Sequence, residues 1–163
     1  MKTLLLLRHA KSSWKNSGVA DHDRPLNARG KHDAPRIGEL IKAQQLVPEL
    51  ILSSTAKRAR KTAAIVAEHC GYEGVIELRK EIYEANPKTL LKVLAKVDDK
   101  NERVMLVGHN PGLEELLFEL TGADEHLSTA ALANVGVAIA KWSAIDGRTA
   151  ATLGGIWRPR ELD

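Results

Sequence analysis

The stretch LLLLRHAKSSW sets four leucines, Leu4 to Leu7, directly before a cation and a titratable ring, Arg8 and His9. Such an apolar run reads as a buried strand. The polar pair then falls where the strands of α/β proteins end and ligands bind. Two other short apolar runs end in the same way. Leu50–Ser54 leads into STAKRARKT, and Arg103–Gly108 leads into HNPGLEEL, with His109 directly after Gly108. Histidines at equivalent places on parallel strands face one crevice. A neutral imidazole, with an ordinary pKa of about 6.5, is nucleophilic near pH 7. A phosphoryl group held by arginines beside it is open to in-line attack by a ring nitrogen.

The basic cluster points to the same chemistry. Ser54 or Thr55 is a natural N-cap, which puts Lys57, Arg58, Arg60 and Lys61 near the first turn of a helix. A helix N-terminus already carries roughly +0.5 charge, so cations there are unfavourable unless an anion lies between. Helix amides plus an arginine fork make a phosphate pocket. Arg58 is the candidate for that role, whereas Lys57, Arg60 and Lys61 read as a solvated surface. His22, His32, His69 and His126 read as hydrogen-bonded core or loop residues. GHNPG also reads as a loop-to-helix turn, with Asn110 as cap and Pro111 at the first helical position.

Positioning these groups requires a layered frame. The chain has 163 residues, 44% of them apolar and 28% charged, which suits a single domain spanning residues 1–163. One cysteine, Cys70, excludes an internal disulfide framework and fits a reducing compartment. No apolar run approaches membrane-spanning length, and Leu4 to Leu7 is too short for a signal-peptide core, so a cytoplasmic address is expected. The net charge of +3 is small, and three Trp, two Tyr and one Phe show no interleaving with basic residues of the kind that binds single strands, which argues against a nucleic-acid partner.

Strands are expected at Thr3–Leu7, Leu50–Ser54, Gly74–Leu78 and Arg103–Gly108. Helical spacing runs through Ile37, Leu40 and Ile41, through Thr62, Ile65 and Val66, and through Leu113, Leu116 and Leu117. Pro35 should kink the first helix or mark its start, and Gly71 and Gly122 should end the later two. Val135–Trp142 and Arg148–Trp157 read as a hairpin turning at Asp146-Gly147. The whole is α/β: a mostly parallel sheet between helical layers, with an antiparallel pair near the C-terminus. Strand order does not follow from these patterns.

With Arg8-His9-Ala10, SSTAKRARKT and VGHNPGLEEL in place, the sequence resembles the histidine phosphatase superfamily, across nearly its whole length. The resemblance implies a phosphoglycerate-mutase-like, three-layer α-β-α sandwich. Alanine stands at residue 10, where the family signature has glycine. LLRHAKSSW, DRPLNARGKHDA and VGHNPGLEEL look like the small SixA-type phosphohistidine phosphatases, which lack a large cap insertion. Carried onto this chain, the resemblance makes His9 the nucleophile and gives Arg8, Arg58 and a protonated His109 the phosphoryl oxygens. Ser12 falls where the family often has a hydroxyl near the phosphate. An acidic proton donor is expected in LRKEIYEANP, with register favouring Glu81 over Glu84. The implied substrate is phosphohistidine on a protein, or else a small phosphomonoester such as a sugar phosphate or nucleotide, with no metal and no cofactor. A metal hydrolase built on His9, His109, Asp21 and Asp23 ranks low, since no H-x-H or H-E-x-x-H spacing is present.

Overall fold

The computed structural model describes residues 1–15 and 18–162. Six strands form one sheet: β1 (Lys2–Arg8), β2 (Leu50–Ser53), β3 (Ile76–Leu78), β4 (Arg103–Gly108), β5 (Leu132–Val137) and β6 (Ala151–Trp157). Their order is β3-β2-β4-β1-β5-β6, with β1 to β4 parallel and β5 and β6 antiparallel additions beyond β1. The helices are α1 (Ala28–Ala43), α2 (Lys57–Cys70), α3 (Pro87–Ala95) and α4 (Gly112–Thr121).

The leucine run lies at the heart of the molecule because both faces of β1 are covered. Leu5 and Leu7 pack with Ile37 and Ile41 of α1 and Val66 of α2, while Leu4 and Leu6 pack with Leu90 and Leu94 of α3 and Leu116 and Leu117 of α4. This is the expected three-layer α/β arrangement. It also fixes where a ligand can sit. The chain leaving β1 runs to one face and the chain leaving β4 to the other, yet β1 and β4 are neighbours, with Arg8 opposite Gly108. A crevice therefore opens at the carboxyl ends of these two strands, where the connections diverge.

Several local expectations need correction. Pro35 does not start α1, which begins at Ala28 behind Asn27; the Asn27 side chain accepts a hydrogen bond from the Gly30 amide. Helix α2 has Ala56 at its N-cap without a side-chain bond, so neither Ser54 nor Thr55 caps it. Ser54 Oγ instead accepts from the Ala56 amide at 3.1 Å and contacts His109, and Thr55 Oγ1 contacts His22. Helix α4 starts one residue later than expected, with Pro111 at the N-cap position. The C-terminal strands do pair antiparallel, but β5 ends at Val137 because Trp142 turns into the core in a short 3-10 segment, its indole N–H donating to the Asn101 carbonyl at 2.7 Å. Asp146-Gly147 belongs to a longer loop, where the Asp146 carboxylate accepts from the Arg148 amide.

Candidate active site

The end of β1 is held from two sides. The Ala10 amide donates to Thr62 Oγ1 at 2.9 Å, and the same hydroxyl donates to the Arg58 carbonyl at 2.6 Å, which ties the residue after His9 to the first turns of α2. On the other side α1 comes so close that a Cβ on Gly30 would lie 2.2 Å from the Lys11 carbonyl oxygen, so only glycine fits there. The end of β4 repeats the device. A Cβ on Gly112 would lie 2.1 Å from the Ala85 carbonyl oxygen, which presses the loop carrying Glu84 against the start of α4.

These supports bring His9 and His109 together, with ring centroids 5.2 Å apart. Both are buried, 7% and 9% exposed. His9 Nδ1 lies 2.8 Å from the Ala10 carbonyl oxygen, which can only accept, so Nδ1 carries the proton and Nε2 keeps its lone pair. His109 Nε2 lies 2.8 Å from Ser54 Oγ, and its Nδ1 is buried without a partner. Burial, with lesser contributions from neighbouring cations, lowers the His9 pKa to about 3 and the His109 pKa to about 4. Both rings are therefore neutral at pH 7. The expectation of a protonated His109 is corrected for this state: burial outweighs everything else, and Arg58 adds to it.

Two arginines flank the histidines. Arg8 donates from Nη1 to the Leu127 carbonyl at 3.1 Å, and burial pulls its pKa below the ordinary value. Arg58 is 6% exposed, while Lys57 and Arg60 are half-buried and Lys61 is exposed. The Nη1 and Nη2 groups of Arg58 donate to the carbonyl and carboxylate of Asp21, at 2.7 and 3.0 Å. In both arginines Nε is buried without a partner. Unpartnered buried donors of this kind are costly, and an anion held between them would satisfy them.

A cavity of about 350 Å³ is bounded by Arg8, His9, Ser12, Arg24, Arg58 and His109. Ser12 lies here, accepting from Arg24 Nη1 at 2.8 Å. Arg24 was not singled out from the sequence, though it is buried, bonds to Asp21 through Nε at 3.1 Å and stacks 3.4 Å above the ring of Trp14, which is 76% exposed. Tyr83 was also missed; its hydroxyl donates to the Asp21 carboxylate, which raises the Tyr83 pKa to about 12 and, together with Arg58, holds Asp21 at about 2. Arg24 falls inside DRPLNARGKHDA and Tyr83 inside LRKEIYEANP, but no local pattern gives either side chain a role, because the loops that carry them meet only in three dimensions.

Glu81 and Glu84 are placed differently. Glu81 stands on the 3-10 segment Lys80–Ile82, exposed and 3.9 Å from Arg79. Glu84, in the left-handed conformation at φ 55°, lines a second cavity of about 550 Å³ together with Arg58 and His109. Asp21 turns to Arg24, Arg58 and Tyr83, and Asp23 meets His22 at 3.3 Å; among the described residues no three His, Cys, Asp or Glu side chains converge to hold a metal. His32, His69 and His126 pair with Asp33, Glu39 and Glu114. Among the described residues no helix is long and apolar enough to cross a membrane.

Residues 4–93 match the sequence profile of the histidine phosphatase superfamily (branch 1). The chain belongs to that superfamily. An uncharacterized protein of Mycobacterium tuberculosis is 33% identical over 91% of this chain and 97% of its own length. The SixA protein of Agrobacterium tumefaciens, assigned as a phosphohistidine phosphatase, is 32% identical and superposes with a TM-score of 0.82 over 97% of this chain and 98% of that one. The corresponding SixA protein of Nakamurella multipartitia gives 26% identity and a TM-score of 0.83 over 97% and 96%. Within the superfamily this chain has the SixA-type, phosphoglycerate-mutase-like fold, and family and fold together make it a phosphoryl hydrolase.

Proposed function

We propose that this phosphatase removes the phosphoryl group from phosphohistidine on a protein, through a covalent intermediate on His9. The observation that carries the reading is the fixed tautomer of His9: its Nδ1–H is committed to a carbonyl, which leaves the Nε2 lone pair beside a cavity whose buried arginine donors lack partners. In the first step Nε2 attacks phosphorus and the P–N bond of the substrate breaks, its electron pair staying on the departing imidazole, which takes a proton from solvent. Arg8, Arg58 and His109 hold the phosphoryl oxygens. Water then attacks the phosphohistidine, releasing inorganic phosphate and restoring neutral His9.

The substrate class rests on three supports. The SixA proteins that resemble this chain are assigned as phosphohistidine phosphatases. Only a short segment separates β3 from α3, leaving the crevice open to a protein side chain. A protonated imidazole also departs without a dedicated acid, whereas an alkoxide needs one, typically worth about a hundredfold to ten-thousandfold.

A second reading, hydrolysis of a small phosphomonoester, is favoured by Glu84 on the wall beside Arg58 and His109. One experiment addresses both. The kcat/KM values for a phosphohistidine peptide and for an alkyl phosphate are compared in the wild type, Glu84→Gln and Glu81→Gln, with rapid quenching to trap acid-labile, alkali-stable phosphate on His9. The phosphohistidine reading expects the peptide to be preferred and Glu84→Gln to depress only the alkyl phosphate. Preference for the alkyl phosphate, with both activities falling together, would overturn it.

A further inference from the structure

The mouth of the catalytic cavity is electrically lopsided. On one side a groove of about 370 Å³ is lined by Lys11, Arg29, Asp33, Thr129 and Arg160, and it shares Lys11 and Thr129 with the cavity that holds His9. Lys11 and Arg160 are exposed, with no ion-pair partner among the described residues. Arg29 contacts the buried Asp33 carboxylate at 3.2 Å, but His32 and Arg36 share that carboxylate, so it does not cancel the groove's charge. On the other side the larger cavity carries Asp21, Glu84 and Glu115, and it shares Arg58 and His109 with the catalytic one.

We propose that the groove of Lys11, Arg29 and Arg160 receives the acidic flank of the phosphorylated polypeptide, so that the segment docks across the mouth in one direction only. The inference rests on the reading of the substrate as a protein. An extended chain advances about 3.3–3.6 Å per residue, so a carboxylate a few positions from the phosphorylated residue reaches a groove that adjoins the cavity. Arginine offers that carboxylate a two-pronged partner. Asp21 is already matched by Arg24 and Arg58, but Glu84 and Glu115 on the same wall repel the flank, which sets the direction by exclusion as well as by attraction. Exposed charges of this kind act on encounter and register, and salt weakens them.

The test uses phosphohistidine peptides with acidic residues on the N-terminal side, on the C-terminal side, or on neither, with phosphoramidate as the reference substrate. The readout is the ratio of peptide to phosphoramidate kcat/KM. One acidic order is expected to exceed the neutral peptide by about tenfold at low salt, with the advantage shrinking at high salt. In the double variant Arg29→Gln/Arg160→Glu, both substitutions being on exposed side chains, that advantage is expected to vanish. Equal ratios for all three peptides, or an advantage that survives the double variant, would overturn the docking proposal while phosphoramidate turnover still supports the phosphatase reading. If neither phosphoramidate nor any peptide is hydrolysed, the phosphohistidine reading itself fails, and the docking proposal falls with it.

Discussion

The ends of β1 and β4 are built alike and serve different purposes. Each is a parallel strand ending in a buried histidine, each is followed by a helix whose first turn packs through a glycine, and the two rings are neighbours. The difference lies in the second ring nitrogen. His9 is bound by its own backbone, a carbonyl that accepts and never donates, so its tautomer is fixed. His109 faces the Ser54 hydroxyl, which can donate or accept, so its tautomer can change as charge arrives. Position on the strand makes a histidine available; the polarity of its partner decides what it can do.

The largest expected effect breaks this comparison outright. His9→Ala should lower turnover on the order of ten-thousandfold or more and leave no trappable phosphoenzyme. His109→Gln should cost about a hundredfold to a thousandfold and still accumulate phosphate on His9, because it removes an oxygen partner and not the nucleophile. Rapid-quench labelling distinguishes the two. Labelled phosphate recovered from the His9 variant, with none from the His109 variant, would reverse the assignment.

Much of this site was legible because its chemistry sits at strand ends. The leucine run announced β1, and His9 and His109 follow their strands directly, so sequence neighbours became spatial ones. Arg58 could be separated from Lys57, Arg60 and Lys61 only as a suspicion about charge at a helix start, and burial then distinguished it. Arg24 and Tyr83 carried no such flag, and Asp21 stood out only as a carboxylate of the metal-hydrolase alternative, since their meeting depends on loops whose course no local pattern encodes. Helix α3 was a different kind of miss. Asn86 caps it by accepting from the Thr89 amide and Pro87 opens it, both ordinary start signals standing at the end of the carboxylate-bearing LRKEIYEANP.

A smaller effect concerns acid. Both rings are neutral in the folded protein, with pKa values lowered to about 3 and about 4, whereas in the unfolded chain they take up protons near the ordinary value of about 6.5. The unfolded state therefore binds more protons, and stability rises with pH over this window. The contribution is fully present above about pH 6.5 and is lost as pH falls toward about 4 for His109 and about 3 for His9, at a slope approaching about 1.4 kcal/mol per pH unit for each ring. Denaturant unfolding at several pH values should show this slope, and His9→Asn with His109→Asn should flatten it. An unchanged slope in the double variant would place the acid sensitivity elsewhere. For the same reason protonation of His9 should not limit kcat/KM near pH 6.5.

The smallest effects test the supports of the two rings separately. Ser54→Ala removes the one hydroxyl that His109 Nε2 contacts; a neutral hydrogen bond is worth about 0.5–1.5 kcal/mol, so a loss of roughly two- to tenfold is expected if the ring's orientation matters to the oxygens it binds. The loss should fall mainly on kcat/KM. It should also disappear in the His109→Gln background, where there is no ring left to orient. The counterpart at β1 is Thr62→Val, which keeps the shape but leaves the Ala10 amide and the Arg58 carbonyl without the hydroxyl that joins them. Here the partner of the ring itself is untouched, since the Ala10 carbonyl belongs to the backbone. Thr62→Val should therefore cost about 1–3 kcal/mol of stability, the penalty for an unsatisfied buried group, with a smaller kinetic effect than Ser54→Ala. The comparison fails if Thr62→Val proves kinetically severe at full stability, because the nucleophile would then depend on a side chain that the backbone bond was supposed to make unnecessary.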